Sequence, residues 1–116
     1  VHVHRPLSAT KADAATVSRL HTALASERRR LVLAYFETTD EDMASLADLA
    51  TFISTHQADS ERERVRGHLR HADLPKLADL GLIDYDARTQ TSRYWGAPSA
   101  VVAEEWTQYL RATVDP

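Results

Sequence analysis

The sequence predicts a mainly helical domain with one small β-hairpin, and three observations lead there. Leu46, Leu49, Ala50 and Ile53 recur at i, i+3, i+4 and i+7, one apolar face of a helix. The stretch Ser60 to Trp95, SERERVRGHLRHADLPKLADLGLIDYDARTQTSRYW, passes from a basic amphipathic segment through a glycine stop into two short segments joined by a polar turn. Near the C-terminus, Val102, Trp106, Tyr109 and Leu110 fall at i, i+4, i+7 and i+8, a wide apolar stripe on one more helix.

Taken in order, residues 1–9 read as a loosely attached arm. A first helix is expected from about Lys11 to Leu24, with Val17, Leu20 and Leu24 on one face. Ser26 is placed to cap a second helix, Glu27 to Glu37, with Glu27 against its N-terminal dipole and Leu31, Val32, Tyr35 and, at the margin, Phe36 turned inward. A single bent helix over 11–37 is the alternative. Thr38 to Asp42 is a polar break, Met43-Ala44 a very short strand, and Ser45 the N-cap of a helix from Leu46 to His56. After a turn at His56 to Asp59, Ser60 caps the basic helix, whose inward face carries Val65 and Leu69.

Pro75 interrupts that helix, because it lacks an N–H and its ring meets the carbonyl one turn back. The sequence allows a kinked helix over 61–80, or a break near Asp73 with Pro75 in the tolerant first turn of a new one. Leu77 and Leu80 complete the inward face and Gly81 stops it. Leu82 to Tyr85 and Thr91 to Trp95 alternate as strands around a turn at Asp86 to Gln90. Gly96-Ala97-Pro98 ends the hairpin, and Pro98 or Ser99 opens the last helix, which reaches about Thr113. The order α-α-(β)-α-α-β-β-α is that of a winged helix-turn-helix with additional N- and C-terminal helices. The expected division is an arm at 1–9, the winged helix-turn-helix domain at 10–96, and a C-terminal helix at 97–116 serving dimerisation.

With 116 residues, 43% hydrophobic and 27% charged, the chain suits one ordinary globular domain. No apolar run approaches the ~20 residues of a membrane helix, and VHVHRPLSAT lacks the apolar stretch of a signal peptide, so no membrane association and a cytoplasmic location are expected. The absence of cysteine excludes disulfides, cysteine-based zinc sites and thiol chemistry. The net charge of −3 does not advertise nucleic-acid binding, but its distribution is uneven. Residues 37–59 hold six carboxylates (Glu37, Asp40, Glu41, Asp42, Asp48, Asp59) and no Lys or Arg. Residues 60–76 hold Arg62, Arg64, Arg66, Arg70 and Lys76 against Glu61, Glu63 and Asp73, a net of +2. A segregated cationic face can serve nucleic acid on an acidic protein. Twelve Arg against two Lys, with abundant Asp, Thr and Ala, suggests a salt-adapted or high-GC source.

ERRRLVLAYF, LADLATFI and ERERVRGHLRHADLPKLADLGLIDYD together resemble a group of small haloarchaeal winged-helix domains related to ArsR-like regulators, over about residues 22–96. HxxLPKLxxxGxIxYD is the most specific part. The resemblance implies DNA binding and transcriptional control, often as a dimer held by the terminal helices. Two features depart from it: Gly67 where a larger helix former is usual, and a strongly acidic helix before the recognition helix.

The candidate DNA-binding residues are Arg62, Arg64, Arg66, His68 and Arg70 on the helix and Arg88 and Arg93 around the wing turn. Arginine grips phosphate and, bidentately, the O6 and N7 of guanine, whereas Glu61 and Glu63 are spaced to neutralise part of the helix as an ordinary solvated face. A wing arginine suits phosphate or the minor groove; the bland alternative is a solvated hairpin tip. Gly67 costs roughly 1 kcal/mol in a helix interior relative to Ala, and either allows close approach of DNA or a partner helix or is neutral on an exposed face. Arg28, Arg29 and Arg30 fan around their helix, so at least one packs or pairs internally. His68 and His71, at i and i+3 with Asp73 near, form only a weak metal pattern, as do His2 and His4, so no metal and no cofactor are expected. No catalytic constellation is visible, and the chain is not expected to be an enzyme. Val102, Trp106, Tyr109 and Leu110 are the expected dimerisation residues. The leading expectation is therefore a homodimeric transcriptional regulator reading a palindromic site in double-stranded DNA through the helix at 60–72 and a wing at 86–92. The alternative is a winged-helix module that binds a protein partner without specific DNA binding.

Overall fold

The computed structural model describes residues 13–57 and 61–114. The arm at 1–9, His2 and His4, the helix start at Lys11, Asp59 and the cap at Ser60 lie outside the described residues. The chain is mainly helical with a small antiparallel sheet. Its elements are α1 (Ala14–Leu24), α2 (Glu27–Thr39), β1 (Met43–Ser45), α3 (Leu46–His56), α4 (Arg62–His68), a π turn (Leu69–Asp73), α5 (Leu74–Asp79), β2 (Ile83–Asp86), β3 (Thr91–Tyr94) and α6 (Ala103–Val114).

Local chemistry sets most boundaries. Asp13 accepts from the Thr16 N–H at 2.8 Å and opens α1; that bond holds its carboxyl below the usual carboxylate range. Ala25 and Ser26 separate α1 from α2, so the single bent helix over 11–37 is not formed. Ser26 caps α2 through the Arg29 N–H and Ser45 caps α3 through the Asp48 N–H. α2 runs two residues beyond Glu37 and ends on Asp40, whose φ of 60° is left-handed. α5 ends where Gly81 (φ +82°) lets the Leu82 N–H return to the Leu77 carbonyl at 3.1 Å.

The conflict at Pro75 is resolved within a continuous helical rod over 62–79. The π turn closes on the Leu74 N–H reaching the Leu69 carbonyl, five residues back rather than four. The wider turn accommodates the missing donor and the proline ring without ending the helix. Asp73, 1% exposed, leaves this turn to pair with Arg28 and, at 3.6 Å, with Arg29 of α2.

α2 is the hub of the core. Leu31, Val32, Leu33, Ala34 and Phe36 are all buried, more of its circumference than one stripe, because α1, α3 and α6 pack around it. The stripe Leu46, Leu49, Ala50 and Ile53 of α3 is buried as its spacing requires, as are Val65, Leu69, Leu74 and Leu77 along the rod. Pro98 and Ser99 do not open α6; the helix starts at Ala103, after Val101 has entered the core. The strand order is β1-β3-β2, with Met43 opposite Arg93, and Ile83 opposite Tyr94. Ala44, Ile83, Ser92 and Tyr94 face inward, while Met43, Asp84 and Arg93 face out.

The dimerisation residues require a correction. Trp106 and Leu110 are 0% exposed: they fill the chain's own core against α2, and so are not surface for a second copy. The Trp106 Nε1–H donates to the Tyr94 hydroxyl at 2.6 Å, and that hydroxyl donates to Glu37 Oε2 at 2.6 Å. Thr107 donates to the other oxygen of Glu37 at 2.9 Å, and Arg111 donates to the Glu37 carbonyl at 3.1 Å. α6 is thus tied to α2 and β3 by a polar network as well as by apolar burial. Tyr109 is half-buried, and of the four only Val102 is exposed.

Candidate nucleic-acid interface

The basic residues divide into those occupied inside the molecule and those that project from it. All three arginines at the start of α2 belong to the first group. Arg28 and Arg29 hold Asp73; Arg29 also donates to the Thr22 and Ala23 carbonyls at 2.6 and 3.2 Å, and Arg30 donates to the Leu24 carbonyl at 2.7 Å. Arg29 and Arg30 satisfy the last carbonyls of α1 and complement its negative dipole end.

α4 turns Val65 inward and presents the opposite side to solvent. Its arginines are not equivalent. Arg62 Nε donates to Thr51 Oγ1 of α3 at 3.0 Å, and its other end lies 3.8 Å from Glu63. Arg66 donates to Gln90 Oε1 at 3.2 Å, reaching the hairpin turn from the middle of α4. Arg64, His68, Arg70 and His71 are exposed, and among the described residues they have no hydrogen-bond or ion-pair partner. Glu63 therefore offsets Arg62, and the solvated-face pattern read from i, i+3 and i+4 spacing does not extend to Arg64 or Arg70.

The hairpin turn is built by its own polar residues. Asp86 Oδ1 accepts from the N–H groups of Arg88 and Thr89 at 2.9 and 3.3 Å, a turn that leaves the Arg88 side chain exposed at the tip. Gln90 closes it with φ 57°; its carbonyl accepts from the Leu46 N–H at 2.9 Å while its side chain holds Arg66. One residue thus links the turn, the start of α3 and the exposed side of α4. Arg93 is placed elsewhere: it lies in mid-strand on the outer sheet face, its guanidinium 4.7 Å from the Trp95 ring centre. Sequence reasoning does not reach the arginine-anchoring roles of Gln90, Thr51 and Asp73, because each acts on an arginine from a different element. His71 belongs with the exposed α4 face.

The helix before the basic one, α3, is not strongly acidic, which corrects that expectation. Asp40, Glu41 and Asp42 occupy the link before β1, Glu37 is engaged in the core network, and α3 itself carries only Asp48. Among the described residues no group of three or more His, Asp or Glu is arranged to hold a metal ion, and no helix is long and apolar enough to cross a membrane. An open groove of about 280 Å³ lies between α1 and the segment 95–99, lined by Leu20, Leu80, Leu82, Trp95, Pro98 and Arg19 among others. It holds no convergent acid, base or nucleophile.

Fold and site together define a small helix-rich domain in which an arginine-bearing helix and a hairpin turn are joined at one edge. The chain belongs to the family described as Domain of unknown function (DUF7344), which matches residues 21–93. That stretch takes in the end of α1, the rod and the hairpin, and stops before α6. No curated protein and no solved structure matches the chain.

Proposed function

We propose that the protein is a winged helix-turn-helix DNA-binding regulator, similar to ArsR-like regulators, with α4 entering the major groove and the 87–90 turn lying against the backbone as the wing. One observation carries this reading: Arg64 and His68 of α4 and Arg70 and His71 of the π turn are exposed with no hydrogen-bond or ion-pair partner among the described residues, beside a turn that presents Arg88 and is held to α4 by Arg66 and Gln90. In this reading Arg64 and Arg70 contact bases and phosphates, Arg88 contacts phosphate, and Arg62 and Arg66 orient the helix against α3 and the wing. The strand order β1-β3-β2, with the short first strand paired to the returning strand of the hairpin, supports the winged-helix assignment. A homodimer on a palindromic site, with half-sites ~34 Å apart, remains part of the proposal. It draws on surface other than Trp106 and Leu110.

A second reading, a protein-interaction module, is favoured by the outer sheet face, where Met43 and Trp95 are 50% and 54% exposed beside Arg93. Fluorescence anisotropy against mixed-sequence and own-upstream duplexes over a salt series separates the two. The DNA reading requires binding that weakens with salt and prefers the upstream duplex. Reversing Arg64 and Arg70 together to Glu should weaken binding at least ~100-fold and flatten the salt slope by about two phosphate contacts. Circular dichroism should show the fold intact, since both side chains are exposed. Absence of binding at the lowest salt that preserves the fold moves the assignment to the interaction module.

A further inference from the structure

Gly67 sits in the middle of the α4 face, and nothing inside the molecule calls for a glycine there. A Cβ built at this position meets no atom within 4 Å, so internal packing does not exclude a side chain. Its backbone is helical, whereas Gly81 and Gly96, at φ +82° and +89°, have conformations that side chains rarely adopt. A helical glycine weakens the helix by exposing backbone and by freeing the unfolded chain, so this one lowers stability with no internal return. With no internal contact to account for it, the missing Cβ leaves backbone open to something that approaches from outside.

The surroundings indicate what approaches. One helical turn to either side of Gly67, at i−3, i+3 and i+4, stand Arg64, Arg70 and His71, the exposed residues without internal partners; Glu63 stands at i−4. Val65 and Leu69, which point inward, lie on the other side of the helix. Gly67 is therefore a bare patch of backbone with two arginines, a histidine and one glutamate around it. The same ring on a second copy would repel it, whereas a polyanion would be drawn to it.

We propose that Gly67 is the point of closest approach between α4 and the DNA, a notch in which base edges or sugar–phosphate rest against the helix backbone between Arg64 and Arg70. This rests on the DNA-binding reading and adds to it a depth constraint: the helix enters the groove as far as it does because residue 67 has no side chain. Function and stability then oppose each other at one position.

The test pairs thermal melts with anisotropy on Gly67→Ala and Gly67→Leu, using a fluorescein-labelled duplex of roughly 30 base pairs, about three turns, from upstream of the coding sequence. Gly67→Ala should melt roughly 3–6 °C higher than the wild type, as expected for a half-buried helical glycine with open space at its Cβ replaced by the best helix former. It should nonetheless bind about tenfold more weakly, and Gly67→Leu about a hundredfold more weakly, as the contacts made at the groove floor are lost. The slope of log affinity against log salt should be unchanged, because no cation is removed. Wild-type binding with Gly67→Leu retaining its affinity overturns the notch and leaves the DNA reading standing. Absence of wild-type binding overturns both. A Gly67→Leu protein that binds DNA normally but changes its sedimentation coefficient would place a second copy at the notch and likewise overturn the proposal.

Discussion

The hydroxyl of Tyr94 is the most constrained polar atom of the core, donating to Glu37 and accepting from Trp106. Burial, then the Glu37 hydrogen bond and charge, push its pKa up from the ordinary tyrosine value of 10.0, with the Trp106 bond opposing. The folded chain therefore keeps a proton that the unfolded chain releases in alkali. The associated stability is whole below pH 10.0; above it, the loss runs at up to about 1.4 kcal/mol per pH unit. Tyr94→Phe should lose about 1–3 kcal/mol at neutral pH, since it leaves the Trp106 N–H without its acceptor. It should also be less sensitive to alkali, so that melting curves from about pH 7 to about pH 11 show the gap to wild type narrowing. Tyr35, raised by burial and by the nearby Asp48 and Glu41 carboxylates, supplies part of the alkaline sensitivity that remains.

At the scale of elements, α6 is fixed by its packing on α2, whereas the rod over 62–79 packs on α3 and β2 and is tied to α2 through Asp73. α6 combines the Trp106 and Leu110 burial with the Glu37 network. The rod combines Leu69, Leu74 and Leu77 with the pairing of Asp73 to Arg28 and Arg29. A buried carboxylate paired this way costs several kcal/mol if its partners are removed, so the π turn is held in one place while the exposed face of α4 is kept in register with the hairpin. For α6, Trp106→Ala should cost about 3–5 kcal/mol, because it empties a fully buried site. Val102→Ala should stay within about 0.5 kcal/mol. Denaturant melts of the two variants check this; equal, small effects would mean that α6 does not contribute to the core.

For the whole molecule, salt acts in two directions. The link Asp40-Glu41-Asp42 concentrates like charge and the net charge is −3, so screening relieves repulsion in the folded state. The same screening removes the attraction between the α4 face and a polyanion. Raising KCl from about 0.1 M, where charges are felt over ~10 Å, to about 1 M, where they are felt over ~3 Å, should raise the melting temperature while weakening the proposed DNA binding. Parallel thermal and anisotropy titrations measure both; a melting temperature that falls with salt would show that attractive pairs outweigh the acidic link.

The sequence by itself determined most of the elements and their order, but left open whether 11–37 is one helix or two and how Pro75 is accommodated. Ser26, Ser45, Gly81 and the stripe from Leu46 to Ile53 act through partners one turn away, and local spacing records such contacts. The turn at 87–90 was legible for the same reason, since Asp86 bonds the N–H groups of the residues that follow it. Only the tertiary structure decided which basic residues remain available to a partner. The internal anchors Asp73 for Arg28, Thr51 for Arg62 and Gln90 for Arg66 lie 45, 11 and 24 residues away in the chain. Likewise an apolar stripe reads the same whether it seals its own core or meets a second copy, and it is the packing of α6 on α2 that assigns Trp106 and Leu110 to the core. Periodicity reports that a face is to be buried; which surface buries it depends on contacts distant in sequence.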